Sequence, residues 1–183
     1  MKKNILAVLF FSTGLLAFGQ ESENEGSKKF PEHTLGLVLS HANISTGVSE
    51  SGGRKWLSIP AWGLDYNCWF TEKWALGLHT DFIIEKIEVK ENLNSDEAIL
   101  ERSYPIAPAL MGIYKPTKHS SFLFGMGAEF AKEENLVLNR VGYEWSTEIG
   151  EKWELGLSFN YDFRWNAYDS YTLGFGISRN LSR

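Results

Sequence analysis

Tyr171-Thr172-Leu173-Gly174-Phe175-Gly176-Ile177-Ser178 alternates bulky apolar residues with Thr, Gly and Ser without a break. Successive side chains of a β-strand point to opposite faces, so this stretch has one greasy face and one of small polar groups. The same alternation recurs upstream. Trp153, Leu155, Leu157, Phe159, Tyr161 and Phe163 oppose Glu154, Gly156, Ser158, Asn160 and Asp162. Phe122, Phe124, Met126, Ala128 and Phe130 oppose Leu123, Gly125, Gly127 and Glu129. A turn signal separates each repeat from the next.

Working outward, the pattern divides into eight strands, near residues 34–41, 56–70, 74–85, 102–115, 121–132, 136–146, 153–163 and 171–181. The fourth is the least regular. Pro105 and Pro108 cannot donate to a ladder, and its alternation reads in either phase. The connections 71–73, 116–120 and 147–152 are short, whereas 42–55 and 86–101 read as long polar loops. Short turns at one end and longer loops at the other suit a closed antiparallel up-and-down transmembrane β-barrel, an all-β fold, with both termini on the short-turn side.

The N-terminus supports an exported address. Met1-Lys2-Lys3-Asn4 is a basic start, residues 5–18 are apolar, and Ala17-Phe18-Gly19 offers small residues where a signal peptidase reads. Residues 1–19 are therefore expected to be a cleaved signal peptide. Residues 20–32 are polar and charged and read as a short disordered tail, leaving a barrel domain over 33–183. The formal charge is −5 and there is one cysteine, Cys68. An acidic balance argues against nucleic acid, and a lone cysteine excludes an intramolecular disulfide framework. Cys68 falls in the greasy phase of its strand.

Which way that phase points decides the rest. Turned inward, as in a soluble lipocalin-like barrel, Trp62, Tyr66, Phe82, Phe124, Phe159, Tyr161, Phe163 and Phe175 would crowd a space that holds little more than its own side chains. The glycines at 36, 63, 77, 125, 127, 156, 174 and 176 would then face water, where they weaken a strand without compensation. Turned outward, the rings meet lipid and the small residues line a narrow lumen. That lumen would hold Asp65, His79, Asp81, Glu129, Arg140, Glu144, Glu154 and Asp162 as a structural polar network, with Glu85 alongside. Charges so confined must be paired or hydrated. Folding about Glu72 sets Asp65 opposite His79, and folding about 134–135 sets Glu129 level with Arg140. Phe70, Trp74, Tyr114, Phe122, Trp145 and Trp153 gather beside the short turns as an aromatic girdle, with Trp165 and Tyr168 in a second one at the far end.

These dyad repeats and the closing strand resemble the small outer-membrane β-barrel proteins of Gram-negative bacteria, OmpA/OmpX-like in size, over residues 33–183. Gln20 after the cleavage site is similar to secreted proteins of the Bacteroidota. The resemblance implies outer-membrane lipid and the outer-membrane assembly machinery as partners, and a monomer, since closure pairs every edge. Such barrels usually end on an aromatic residue. This chain ends Asn180-Leu181-Ser182-Arg183, with Leu181 in the outward phase.

No phosphate-cradling, zinc-protease or cysteine-rich metal motif occurs, so neither a cofactor nor a metal is expected. His119-Ser120-Ser121 is the nearest candidate for an outer-membrane lipid hydrolase, but it lacks an evident orienting acid. An enzyme is not the expected reading. Three roles stay open: a structural or surface-interaction barrel using the long loops, a narrow pore or small-solute channel, and a soluble periplasmic binder of an apolar ligand.

Overall fold

A computed structural model describes residues 29–48, 53–90, 99–165 and 167–182. The expected signal peptide and most of the expected tail lie outside the described residues. Ten strands are present among those described: β1 Glu32–Val48, β2 Arg54–Trp69, β3 Trp74–Ile83, β4 Lys86–Lys90, β5 Ile99–Ser103, β6 Ile106–Tyr114, β7 Ser120–Phe130, β8 Asn135–Glu148, β9 Trp153–Arg164 and β10 Asp169–Asn180. Eight of them close into a barrel in the order β1-β10-β9-β8-β7-β6-β3-β2, every pairing antiparallel. Closure is made by β1 and β10, with Leu37 opposite Ile177 and Leu39 opposite Phe175. No ladder edge of the eight is left open, which is the condition for a sheet to sit in hydrocarbon.

The greasy phase points outward. Leu157, Phe159, Phe163, Leu173, Phe175, Phe124 and Leu110 are all exposed, Leu110 at 60%. Cys68 shares this phase, between exposed Tyr66 and Phe70, and is half-buried. The crowded interior required by a soluble barrel is absent, because the rings are on the outside. Inside are Gly36, Gly63, Gly77, Gly125, Gly127, Gly142, Gly156, Gly174 and Gly176, in phase with the charges. Gly127 shows why size matters there: a Cβ would strike the Pro108 carbonyl and the Ala109 backbone. Gly112 is the outward exception, and the Phe124 ring from the neighbouring strand lies over it. An aromatic ring covering a cross-strand glycine supplies the packing that the glycine lacks.

The fourth expected strand divides in two. Pro105 has no N–H, and Tyr104 adopts φ 52°, so the run over 102–115 breaks into the end of β5 and all of β6. The described residues of the expected loop over 86–101, namely 86–90 and 99–101, belong to a second hairpin, β4 paired with β5, separate from the barrel sheet. Its strand period was present in Lys86-Ile87-Glu88-Val89-Lys90, where Ile87 and Val89 are buried. The other expected loop, 42–55, mostly extends β1 and β2, with a register shift between Ser45 and Gly47. The expected tail also ends sooner: Glu32 already pairs with Trp69, and Asn180 Nδ2 donates to Glu32 Oε2 at 2.9 Å.

Two apolar clusters fill what the charges leave. Ala75, Ala107, Ala109, Met111, Ile113, Leu123 and Leu138 pack along one inner wall. Ala42, Ile44, Ile59, Ala61, Ile83, Ile87, Val89, Leu136 and Tyr168 pack at the end that carries the long hairpins. The second cluster stoppers that end of the barrel.

Candidate functional site

The lumen holds a polar network in three tiers. Alternation places its members: on β9 the inward residues are Glu154, Gly156, Ser158, Asn160, Asp162 and Arg164, so acid and base alike follow from one phase. The central tier is built on Arg140 of β8. It faces Asp162 directly across the ladder, donating through Nε to Oδ1 at 2.6 Å and through Nη2 to Oδ2 at 2.8 Å. Its Nη2 also lies 2.6 Å from Asp81 Oδ2. The two parallel bonds to Asp162 are the bidentate pairing that suits arginine, and Asp81 shares the same guanidinium. Asp65 and His79 are opposite each other as the sequence predicts, with Asp65 Oδ1 at 3.5 Å from His79 Nδ1. His79 Nε2 sits 2.8 Å from Asn67 Oδ1.

The outer tier centres on Glu129 of β7, which is wholly buried. Arg102 donates to its Oε1 through Nε at 2.9 Å and Nη2 at 2.7 Å. Arg164 donates to Oε2 through Nε, and the Tyr168 hydroxyl lies at 2.7 and 2.8 Å from the two oxygens. The guanidinium of Arg164 also stacks on the Tyr168 ring, 4.4 Å from its centroid. Remaining donors are used as well: Arg102 Nη1 reaches the Glu134 carbonyl at 2.7 Å, and Arg164 Nη1 reaches Ser170 Oγ at 2.8 Å. Arg164 Nη2, 3.5 Å from Asp162 Oδ2, joins the outer tier to the central one. On the turn beside it, the Ser103 N–H donates to Glu133 Oε2 at 3.0 Å and holds that carboxyl below its usual range.

The inner tier is less enclosed. Lys115 Nζ pairs with Glu154 Oε1 at 2.9 Å, and Ser146 Oγ donates to the same oxygen at 2.6 Å. Lys115 also lies over the Trp69 ring, 5.6 Å from its centroid. Glu144, Asp65, Asn67 and these residues line a cavity of about 50 Å³, enough for a few waters. A second cavity, about 10 Å³, lies between Asp81, Glu129, Asp162 and Arg164. Asp81 and Asp162, both held by Arg140, line the second cavity and not the first. Among the described residues, Ser45 Oγ and Asn160 Oδ1 are the buried side-chain polar atoms without a hydrogen-bond partner. Arg102, Arg140, Arg164, Asp81, Glu129, Asp162, Lys115 and Glu154 are all paired, while Glu144 faces the first cavity.

All eight expected network residues lie in the lumen, but one pairing differs. Glu129 is opposite Leu136, and Arg140 is opposite Gly125. The β7–β8 turn centres between Lys132 and Glu133, not at 134–135, which moves every partner by four residues. Glu129 consequently pairs with Arg102 and Arg164. Glu85 is exposed outside the barrel, its carbonyl accepting from the Tyr104 N–H. Sequence reasoning missed Arg102, Lys115 and Arg164. Lys115 and Arg164 continue the inward phases of β6 and β9 and could have been found by extending them. Arg102 had no such signal, because its position depends on how the β4–β5 hairpin folds over the barrel end.

Aromatic side chains stand outward beside the short turns. Phe70, Trp74, Phe122, Trp145 and Trp153 are exposed, with Trp74 against Tyr114 at 4.6 Å between ring centroids. At the other end Trp165 is exposed, but Tyr168 is fully buried and belongs to the Glu129 tier. Its hydroxyl needs a partner when its ring is enclosed, and Glu129 supplies one.

No protein-family model matches the chain, and no curated protein matches its sequence. Similarity is found among solved structures. The attachment invasion locus protein Ail of Yersinia pestis aligns with TM-score 0.53 at 10% identity, over 82% of this chain and 99% of that one. The N-terminal β-barrel domain of Pseudomonas aeruginosa OprF gives 0.52 at 10% identity, over 81% and 97%. Neisserial surface protein A gives 0.50 at 10% identity, over 81% and 97%. At such identity the likeness concerns the backbone. The chain has the closed eight-stranded antiparallel fold of these small outer-membrane barrels.

Proposed function

We propose that the protein is a monomeric outer-membrane barrel with a structural or surface-interaction role, its lumen filled by its own side chains. The observation that carries the reading is the pairing of an outward apolar wall with an inward ionic network. A wall of exposed Leu, Phe and Trp is costly in water and favourable against acyl chains. A filled lumen is supported by the small size of the two cavities beside the network and by the burial of Arg140 and Glu129, 1% and 0% exposed. That favours a plug over a pore. Contacts with other molecules would then fall to the β1–β2 extension and the β4–β5 hairpin, since a rigid scaffold presents its binding surfaces on such connections. The fold of Ail, OprF and NspA supports the outer-membrane address.

Two measurements separate this reading from its rivals. The protein should fractionate with membranes and migrate differently on a gel before and after boiling. In a planar bilayer it should give no discrete conductance steps. Reproducible steps would establish the pore reading, and a detergent-free soluble fraction would establish the periplasmic binder.

A further inference from the structure

The β4–β5 hairpin is not part of the barrel wall. Its strands pair with each other, and it is joined to the β3–β6 hairpin through Ile84–Glu85 and Tyr104–Pro105. The ladder crosses that junction by two backbone bonds, Ile83 N to the Pro105 carbonyl at 3.1 Å and Tyr104 N to the Glu85 carbonyl at 3.3 Å. Tyr104, with its left-handed φ, bends the chain there, so the hairpin lies across the barrel end instead of continuing along it. Ile87 and Val89 are then almost completely buried against Ile44, Ile59, Ile83 and Tyr168.

We infer that this hairpin is a lid: it covers an apolar mouth with Ile87 and Val89 and is latched by Arg102 on Glu129. Arg102 ties it to Glu129 and, through Nη1, to the Glu134 carbonyl, and the Ser103 N–H adds a tether to Glu133. The latch is separable from the wall. When Arg102 leaves, Glu129 keeps Arg164 and Tyr168, so no carboxylate is stranded, and the departing guanidinium enters water. The eight-stranded ladder does not use β4 or β5 for closure and stays intact. Lifting the lid therefore uncovers an apolar surface without opening the barrel, a local event of the kind that leaves global stability in place.

The test uses Ile87→Cys as reporter in a Cys68→Ser background, reconstituted in phosphatidylcholine vesicles and labelled with a membrane-impermeant maleimide. Ile99→Cys, at a position 73% exposed, is the reference. The closed lid predicts slow labelling at 87 and fast labelling at 99. Arg102→Met should raise the rate at 87 about tenfold or more, with no change at 99 and none in heat-dependent gel mobility. Arg102→Lys should fall between. Equal rates at 87 and 99 in the unlatched and latched forms alike, or no response to Arg102→Met, would overturn the lid. So would a response shared by Ala75→Cys, deep in the inner wall, because that reports opening of the whole barrel. Should Arg102→Met not assemble, Glu133→Ala removes the Ser103 tether from the exposed side. A smaller rise at 87 is then expected, and no rise overturns the proposal.

Discussion

Glu129→Ala is expected to destabilise the barrel by about 3–5 kcal/mol, the cost of leaving buried charge without its partner. The carboxylate is the common acceptor for Arg102, Arg164 and Tyr168, all of them buried. Its removal leaves two guanidinium groups facing each other with only the Glu134 carbonyl, Ser170 Oγ and a distant Asp162 oxygen as acceptors. Glu129→Gln keeps an acceptor oxygen but not the charge and should lose less. Urea titration in lipid vesicles, read by heat-dependent gel mobility, should order the proteins native, Gln, Ala. An Ala midpoint within about 1 kcal/mol of native would mean that water reaches the cluster and that this end of the barrel is not sealed.

Arg140→Met is expected to have the next largest effect, again about 3–5 kcal/mol, because Asp81 and Asp162 lose the cation that both share. Its informative partner is Asp162→Asn. With the acid already neutral, loss of the arginine should cost less, giving a coupling of about 1–3 kcal/mol between the two positions. Additive losses would show that the pair is not the unit that holds the central tier. Arg140→Ala, with the larger void, is the variant in which conductance steps are expected.

The sequence carried the barrel because its information there is local. A period of two over ten residues, as in Trp153–Phe163, states which side chains share a face, and the ratio of ring to glycine states which face meets lipid. It carried the Asp65–His79 pair for the same reason: the turn about Glu72 is tight, so counting from it gives the register. Counting failed at the β7–β8 turn, where Lys132-Glu133-Glu134 offers no glycine or proline to mark the centre, and Glu129 was matched with the wrong arginine. It failed again at Tyr104–Pro105. There the proline was visible, but the bend that sends β4 and β5 across the mouth is a tertiary event. Arg102 and Tyr168 reach Glu129 only because that end folds inward, and their spacing of 27 and 39 residues from it carries no pattern.

The most direct test of the outward wall is a nitroxide scan along β9, from Trp153 to Phe163, in phospholipid bilayers. Labels at Leu155, Leu157, Phe159 and Tyr161 should collide readily with lipid-dissolved oxygen and poorly with a water-soluble nickel complex. Labels at the intervening Gly156, Ser158 and Asn160 should be shielded from the oxygen, giving a two-residue period. Preferential access of the nickel complex to 155, 157 and 159, or loss of the period, would contradict a lipid-facing surface and with it the membrane reading.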